Sequence, residues 1–219
     1  MSHAEVLILA AMTREAKALA RSLGAKRDTD GGFRAPGVQL RAVGVRGVRL
    51  GRIPKPSAET LVIVAGLGGG LDPGLRAGDV VLDDPAGLLE RVLAGLAAPR
   101  VHRGAIHTAA RILDGPHDKE AARRQTGAAC VDMEQEIVRQ WLGRPLVGVR
   151  VVLDTAQEAL NPRVTSVSDE MGDVRLWALM RLLASQPGVI RQLIGLGSAS
   201  GECMRGLGEV LRAITASRG

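Results

Sequence analysis

At 219 residues the chain suits one domain with a sizeable buried core. Its 46% hydrophobic and 24% charged residues are those of an ordinary globular protein, but with one Phe, two Trp and no Tyr the core must be aliphatic, and no binding site can rest on a stack of rings. The net charge of +6, almost all of it arginine, would suit nucleic acid or a membrane surface. No RNA-binding signature or interleaved aromatics accompany it, so it reads first as an arginine-rich coding bias and no nucleic-acid partner is expected.

Glu5–Ala11 reads as a buried strand. Thr13 stands where it can cap a helix over Arg14–Leu23, with Gly24 as its stop, which puts Glu15 in the first turn. Val38–Val43 and Val48–Leu50 alternate weakly and read as a hairpin, followed by the short connection Pro54-Lys55-Pro56-Ser57. Leu61–Ala65 is a second buried strand, running into a glycine loop, Gly66-Leu67-Gly68-Gly69-Gly70. Gly78-Asp79 is a turn and Val80–Leu82 starts another strand, with a helix predicted over Pro85–Leu96. A strand over Val101–Thr108, a short helix over Lys119–Arg124 and a strand over Ala128–Val131 follow. Then come a helix over Glu134–Trp141, with Asp132 as its cap, and a strand over Leu146–Leu153. From Val174 the pattern is helical, broken at Pro187-Gly188 and Gly195–Gly201, and residues 174–219 read as a helical tail within a single domain spanning 1–219. Strands alternating with helices argue for the α/β class, a three-layer α/β/α sandwich around a mixed, mostly parallel sheet.

Three apolar runs deliver a carboxylate to their C-terminal ends: Glu15 just after the first, Asp132 and Glu134 after Ala128–Val131, and Asp154 after Leu146–Leu153. In an open α/β sheet those ends share a rim where ligands bind. Acids gathered there are costly unless they do chemistry or hold a polar ligand. Each also has a plainer reading: Asp132 and Asp154 as caps, Glu134 as an acid favouring a helix dipole, Glu15 as a solvated first-turn acid. The glycines admit two readings as well, a backbone that lets a polar ligand approach or a tight connection between strands. No Lys-Ser/Thr follows them, so they form no Walker loop. Cys130 and Cys203 form no motif, and Cys130 reads as a small buried hydrophobe. Residues 5–11 are too short for a secretion signal, and no apolar run reaches the ~20 residues of a bilayer span, so a cytoplasmic location is expected.

The order Ala11-Met12-Thr13-Arg14-Glu15, Ala65-Gly66-Leu67-Gly68-Gly69-Gly70-Leu71-Asp72-Pro73, Arg76-Ala77-Gly78-Asp79-Val80-Val81, Val131-Asp132-Met133-Glu134 and Val149-Arg150-Val151-Val152-Leu153-Asp154 resembles the nucleoside phosphorylase superfamily. It is most similar to the branch that holds the methylthioadenosine/S-adenosylhomocysteine nucleosidases. Within it, a short stretch between Leu82 and Arg103 and a tail over Val174–Leu183, Gln186-Pro187-Gly188 and Leu193–Leu196 look like the hopanoid-associated group.

The resemblance implies a nucleoside phosphorylase-like fold and cleavage of an N-glycosidic bond, releasing adenine from a 5′-modified adenosine such as adenosylhopane. A methylthioadenosine/S-adenosylhomocysteine nucleosidase, or a catalytically impaired purine nucleoside-binding relative, are the alternatives. It implies that Asp154 protonates the departing base, Glu134 accepts from the ribose hydroxyls, Met133 packs on the sugar and Glu15 activates water. Asp132, Gly66, Gly68 and Gly69 would line the same site. The chain departs from the branch at Leu67 and Leu153, where serines are usual, at Asp132, where Glu is usual, and at Ile112, where an aromatic stacks on the base. Glu15 favours water as nucleophile, while Arg46, Arg49 and Arg52 would be the cations of a phosphorylase. No cofactor or metal is implied, with inorganic phosphate as co-substrate only in the phosphorylase case, and relatives are commonly homodimers or larger. The tail, with Arg175, Arg181, Arg191, Arg205 and Arg212 interrupting apolar stretches, reads either as packing helices or as a segment lying on membrane lipid.

Overall fold

The computed structural model describes residues 6–90, 100–159 and 189–217. The strands are β1 (Val6–Ala10), β2 (Lys26–Arg27), β3 (Phe33–Ala35), β4 (Val38–Ala42), β5 (Leu61–Gly70), β6 (Val80–Asp83), β7 (Val101–Arg103), β8 (Ile106–Thr108), β9 (Cys130–Asp132) and β10 (Val147–Asp154). The helices are α1 (Thr13–Ser22), α2 (Pro116–Thr126), α3 (Gln135–Leu142) and α4 (Val189–Ala216). One mixed sheet runs in the order β2-β3-β4-β1-β5-β10-β6-β7, with β9 pairing the end of β5 and β8 pairing β9.

β1 is buried at every residue because it lies between two parallel neighbours, β4 and β5, and is covered on both faces. Its side chains divide by the period of two. Val6, Ile8 and Ala10 join Ala16 and Leu19 of α1 and Leu207, Leu211 and Ile214 of α4 in one core cluster. Leu7 and Leu9 join Val138 and Leu142 of α3 in another. The sheet is therefore the middle layer of an α/β/α sandwich. Phe33 and Trp141 lie only at the margins of these aliphatic clusters, and Trp177 falls outside the described residues.

Several elements differ from the sequence-based expectation. The N-cap of α1 is Met12, not Thr13, and its amide is satisfied by the Glu15 carboxylate reaching back at 2.9 Å. The hairpin is formed by β3 and β4, not by β4 with Val48–Leu50, where the chain instead makes the short 3₁₀ turns Val45–Gly47 and Leu50–Arg52. The expected glycine loop is strand: β5 continues to Gly70, flanked by β10 and by antiparallel β9. Bare glycines permit this, since a Cβ on Gly68 would lie 2.7 Å from Cys130 Sγ and 3.0 Å from the Val131 carbonyl. Val101–Thr108 is two strands, and residues 85–89 are turns held by the Asp84 carboxylate, which accepts from the Leu88 and Leu89 amides. The remainder of the Pro85–Leu96 helix lies mostly outside the described residues. So does the tail from Val174 to Gly188, whereas α4 runs unbroken through Gly195–Gly201. The far end of α4 packs on the sheet and α1, with Arg212 donating to the Ser22 carbonyl at 2.6 and 3.0 Å. Among the described residues no helix is long and apolar enough to cross a membrane.

The close packing of β5 on β9 gives a direct test. Gly68→Ala should cost about 1–3 kcal/mol in urea unfolding through overpacking. Gly51→Ala, where an added Cβ meets nothing within 4 Å, should stay within about 0.5 kcal/mol. Equal effects would contradict the packing described.

Candidate functional site

β1, β5 and β10 are parallel, so their C-terminal ends lie along one rim, and α1 starts directly beyond β1. Glu15, in the first turn of α1, is 2% exposed. One carboxylate oxygen accepts from the Leu67 amide at 2.9 Å and the other from the Met12 amide at 2.9 Å. Glu134 is the N-cap of α3, is buried, and accepts from the Arg46 amide at 3.0 Å. Arg46 holds that amide in place from a left-handed conformation, φ +55°, which costs a non-glycine residue about 1–3 kcal/mol.

Between the two glutamates lies Arg150 of β10, 0% exposed. Its Nε donates to Asp132 Oδ2 at 3.1 Å, and its Nη2 donates to the same oxygen and lies 3.7 Å from Glu134 Oε2. Asp132 is held in turn by the Thr108 hydroxyl at 2.7 Å and the Gln135 amide at 2.9 Å. The second of these bonds caps α3, so Asp132 both caps the helix and pairs the cation. Arg150 Nη1 has no hydrogen-bond partner among the described residues. It and Glu15 Oε1 each lie 3.0 Å from the point a Cβ on Gly66 would occupy. A donor without a partner and a carboxylate therefore meet over a residue with no side chain.

Asp154 ends β10. The pairing of β10 with β5 slips there: Val152 faces Gly68 and Asp154 faces Gly69, so Leu153 is an extra, half-buried residue. Such a bulge re-aims the side chain that follows it. The Asp154 carboxylate lies 3.4 Å from the Cβ point of Gly69 and is ion-paired with Lys119 of α2, which is 0% exposed. Lys119 Nζ also donates to the carbonyls of Thr155 at 2.7 Å and Glu158 at 2.8 Å.

Burial raises the pKa of Glu15 against the opposing Leu67 and Met12 amides and the charges of Arg150 and Arg14. Burial likewise pushes Glu134 up to about 7, with Asp132 and Glu15 adding to the rise and Arg150 and the Arg46 amide resisting it. Asp154 is raised by burial, with Lys119 pulling the other way and Glu158 adding to the rise. Burial works against the charge on Arg150, but Asp132, Glu134 and Glu15 together outweigh it and strengthen its hold on the proton. The Cys130 thiol is pushed by burial up to about 12 and carries no reactive thiolate.

Glu15, Asp132, Glu134, Asp154 and the strand Gly66–Gly69 thus share one rim, with Leu67 and Met133 half-buried among them. Ile112 does not join the buried set: it is 41% exposed, in the segment between β8 and α2. Arg46, Arg49 and Arg52 are exposed, and of the three only the Arg46 backbone touches an acid. Sequence reasoning missed Arg150, Lys119 and Thr108. The first had a visible signal, a lone charge inside the apolar run of β10, four residues before Asp154. Lys119 had none, since it stands in a helix whose other charges are solvated.

No protein-family model matches the sequence, and no curated protein matches it. Solved structures do. The methylthioadenosine/S-adenosylhomocysteine nucleosidase of Helicobacter pylori is similar with a TM-score of 0.67 at 15% identity, over 99% of this chain and 100% of that one. The futalosine hydrolase of the same organism gives 0.64 at 14% identity, over 98% of each chain. The methylthioadenosine/S-adenosylhomocysteine nucleosidase of Neisseria meningitidis gives 0.64 at 18% identity, over 97% of this chain and 99% of that one. These likenesses give the hopanoid-associated group no support of its own. What they establish is architecture: along almost its whole length the chain has the fold of the nucleosidases and futalosine hydrolase.

Proposed function

We propose that the site hydrolyses the N-glycosidic bond of a 5′-substituted adenosine and releases adenine. One observation carries this reading: a buried Glu15–Arg150–Asp132–Glu134 cluster stands over Gly66, and Asp154 stands beside Gly69 on the same rim. The two glycines are three steps apart along the strand, about 10 Å at ~3.3 Å per residue. A purine nucleoside bridges such a span, with its sugar over the cluster and its base at Asp154.

The chemistry follows from the environments. Protonating the base makes it a better leaving group, and burial lets the Asp154 carboxyl take up and hold a proton more readily than an exposed acid would. Glu15, made more basic by burial, is suited to take a proton from water, and Arg150 Nη1 is a free donor to orient that water. The proton on Asp154 moves to the departing purine, hydroxide adds to the anomeric carbon, and the second proton of water goes to Glu15. Buried carboxylates also stabilise positive charge developing on the sugar. Glu134, when ionised, accepts from the ribose hydroxyls. Water is preferred to phosphate because Arg46, Arg49 and Arg52 are exposed, and Arg46 meets Glu134 through its backbone amide.

For the substituent, a small 5′-thioether is the better-supported reading, because similar structures carry the name methylthioadenosine/S-adenosylhomocysteine nucleosidase. Adenosylhopane rests on the short stretch after Leu82 and on a tail of which residues 174–188 lie outside the described part. A binding protein without turnover is the second reading, favoured by Leu67 and Leu153 where hydroxyls would help seat the nucleophile.

Incubation with methylthioadenosine, S-adenosylhomocysteine and an adenosine bearing a long apolar 5′ group, with and without phosphate, should release adenine in the phosphate-free arm, fastest from the small thioethers. Asp154→Asn should lower kcat by roughly 10²–10⁴-fold. No adenine from any of the three, with or without phosphate, would end the enzymatic reading, and calorimetric binding of adenine would then mark the binding protein.

The pH dependence has a definite sign. Glu134 must be ionised to accept from the sugar, and its pKa is raised to about 7. Below that pH it is protonated, so kcat/KM should rise as pH increases through about 7. Glu134→Gln should remove much of that slope, and a variant with the wild-type acid limb would refute the assignment.

A further inference from the structure

α2 brings one fully buried side chain to the molecule, and it is a cation, Lys119. An apolar residue of that size would anchor the helix at less cost, since taking an ammonium out of water costs several kcal/mol unless its partners repay it. The partners are specific. All three N–H bonds of Nζ are used, by Asp154 Oδ2, the Thr155 carbonyl and the Glu158 carbonyl. The same turn is closed from within, by the Thr155 amide on the Glu158 carboxylate at 2.7 Å and the Glu158 amide on the Thr155 carbonyl at 3.2 Å.

We propose that Lys119 is a positioning residue for Asp154: it clamps the Asp154–Glu158 turn and takes one carboxylate oxygen, so that the other is presented to the departing base. The inference rests on Asp154 acting as the acid proposed above. When the proton leaves Asp154 for the purine, the carboxylate left behind is stabilised by the ammonium already bonded to it. Among the described residues the groups that act on Asp154 are Lys119 from α2, Glu158 from its own turn and the buried Cys130 thiol of β9, while Gly69 of β5 and the Val131 side chain of β9 lie beside it.

The test is a double-mutant cycle on the full-length protein with the substrate that the wild type turns over. Lys119→Met should lower kcat on the order of 100-fold, the size of effect a misplaced catalytic group produces, with little change in KM. In an Asp154→Asn background it should cause no further loss. Its alkaline limb should move to higher pH, because removing the cation leaves Asp154 holding its proton longer. Lys119→Arg, which keeps the charge, should keep the wild-type limb, and it serves alone if the Met variant does not fold. An additive loss in the Asp154→Asn background, or a limb that moves equally in both variants, would overturn the proposal while leaving the nucleosidase reading intact. A wild type without turnover and without adenine binding would overturn both.

Discussion

Arg150 keeps its positive charge while fully buried, and three carboxylates of the rim, Glu15, Asp132 and Glu134, are arranged around it. Asp132 takes two of its donors, Glu134 lies 3.7 Å away, and Glu15 is close enough to strengthen its charge. Burying such an ion is expensive, and removing one partner from a buried pair typically costs about 3–5 kcal/mol. One cation against three carboxylates leaves negative charge in excess. Burial answers by raising Glu15 and by pushing Glu134 up to about 7, which eases the crowding of negative charge. Separate elements each supply one member: α1 gives Glu15, β9 gives Asp132, the start of α3 gives Glu134 and β10 gives Arg150 itself. The interaction that ties these four elements together also governs how readily Glu134 keeps its charge.

The sheet makes this convergence unavoidable once β1, β5 and β10 lie parallel. Alternation sends Leu7 and Leu9 to one layer and Val6 and Ile8 to the other, which fixes how far each strand can slide without burying the wrong face. The irregularities fall at the rim. β5 sheds its side chains for its last residues, β10 inserts Leu153, and Arg46 adopts a left-handed turn. Such backbone persists only where the surrounding structure over-determines it, and here it gathers around the ends of β5 and β10.

Much of this was legible in the sequence. Apolar runs such as Val6–Ala10 and Leu146–Leu153 mark strands covered on both faces, and the acid after each, Glu15 or Asp154, comes out at or just beyond a strand's end. Thr13 misled because hydroxyl residues are good caps in general, whereas here the carboxylate of Glu15, three residues after Met12, reaches the free Met12 amide. The glycines misled because glycine usually breaks a strand, and only the approach of Cys130 and Val131 makes bare backbone the better choice at Gly68. Lys119 was hidden for a further reason: nothing in a helix rich in charges says which one turns inward, since that depends on the loop after β10, far away in the chain.

The strip from Gly66 to Gly70, broken only by Leu67, has a consequence for how this protein can change. Its surface there is peptide rather than side chain, and glycine offers substitution only one direction, toward greater bulk. Gly66 and Gly68 have almost no space for it. Any change in what the rim can hold has therefore to come from the surrounding segments, and the central strip is the part of the rim with the least room to vary.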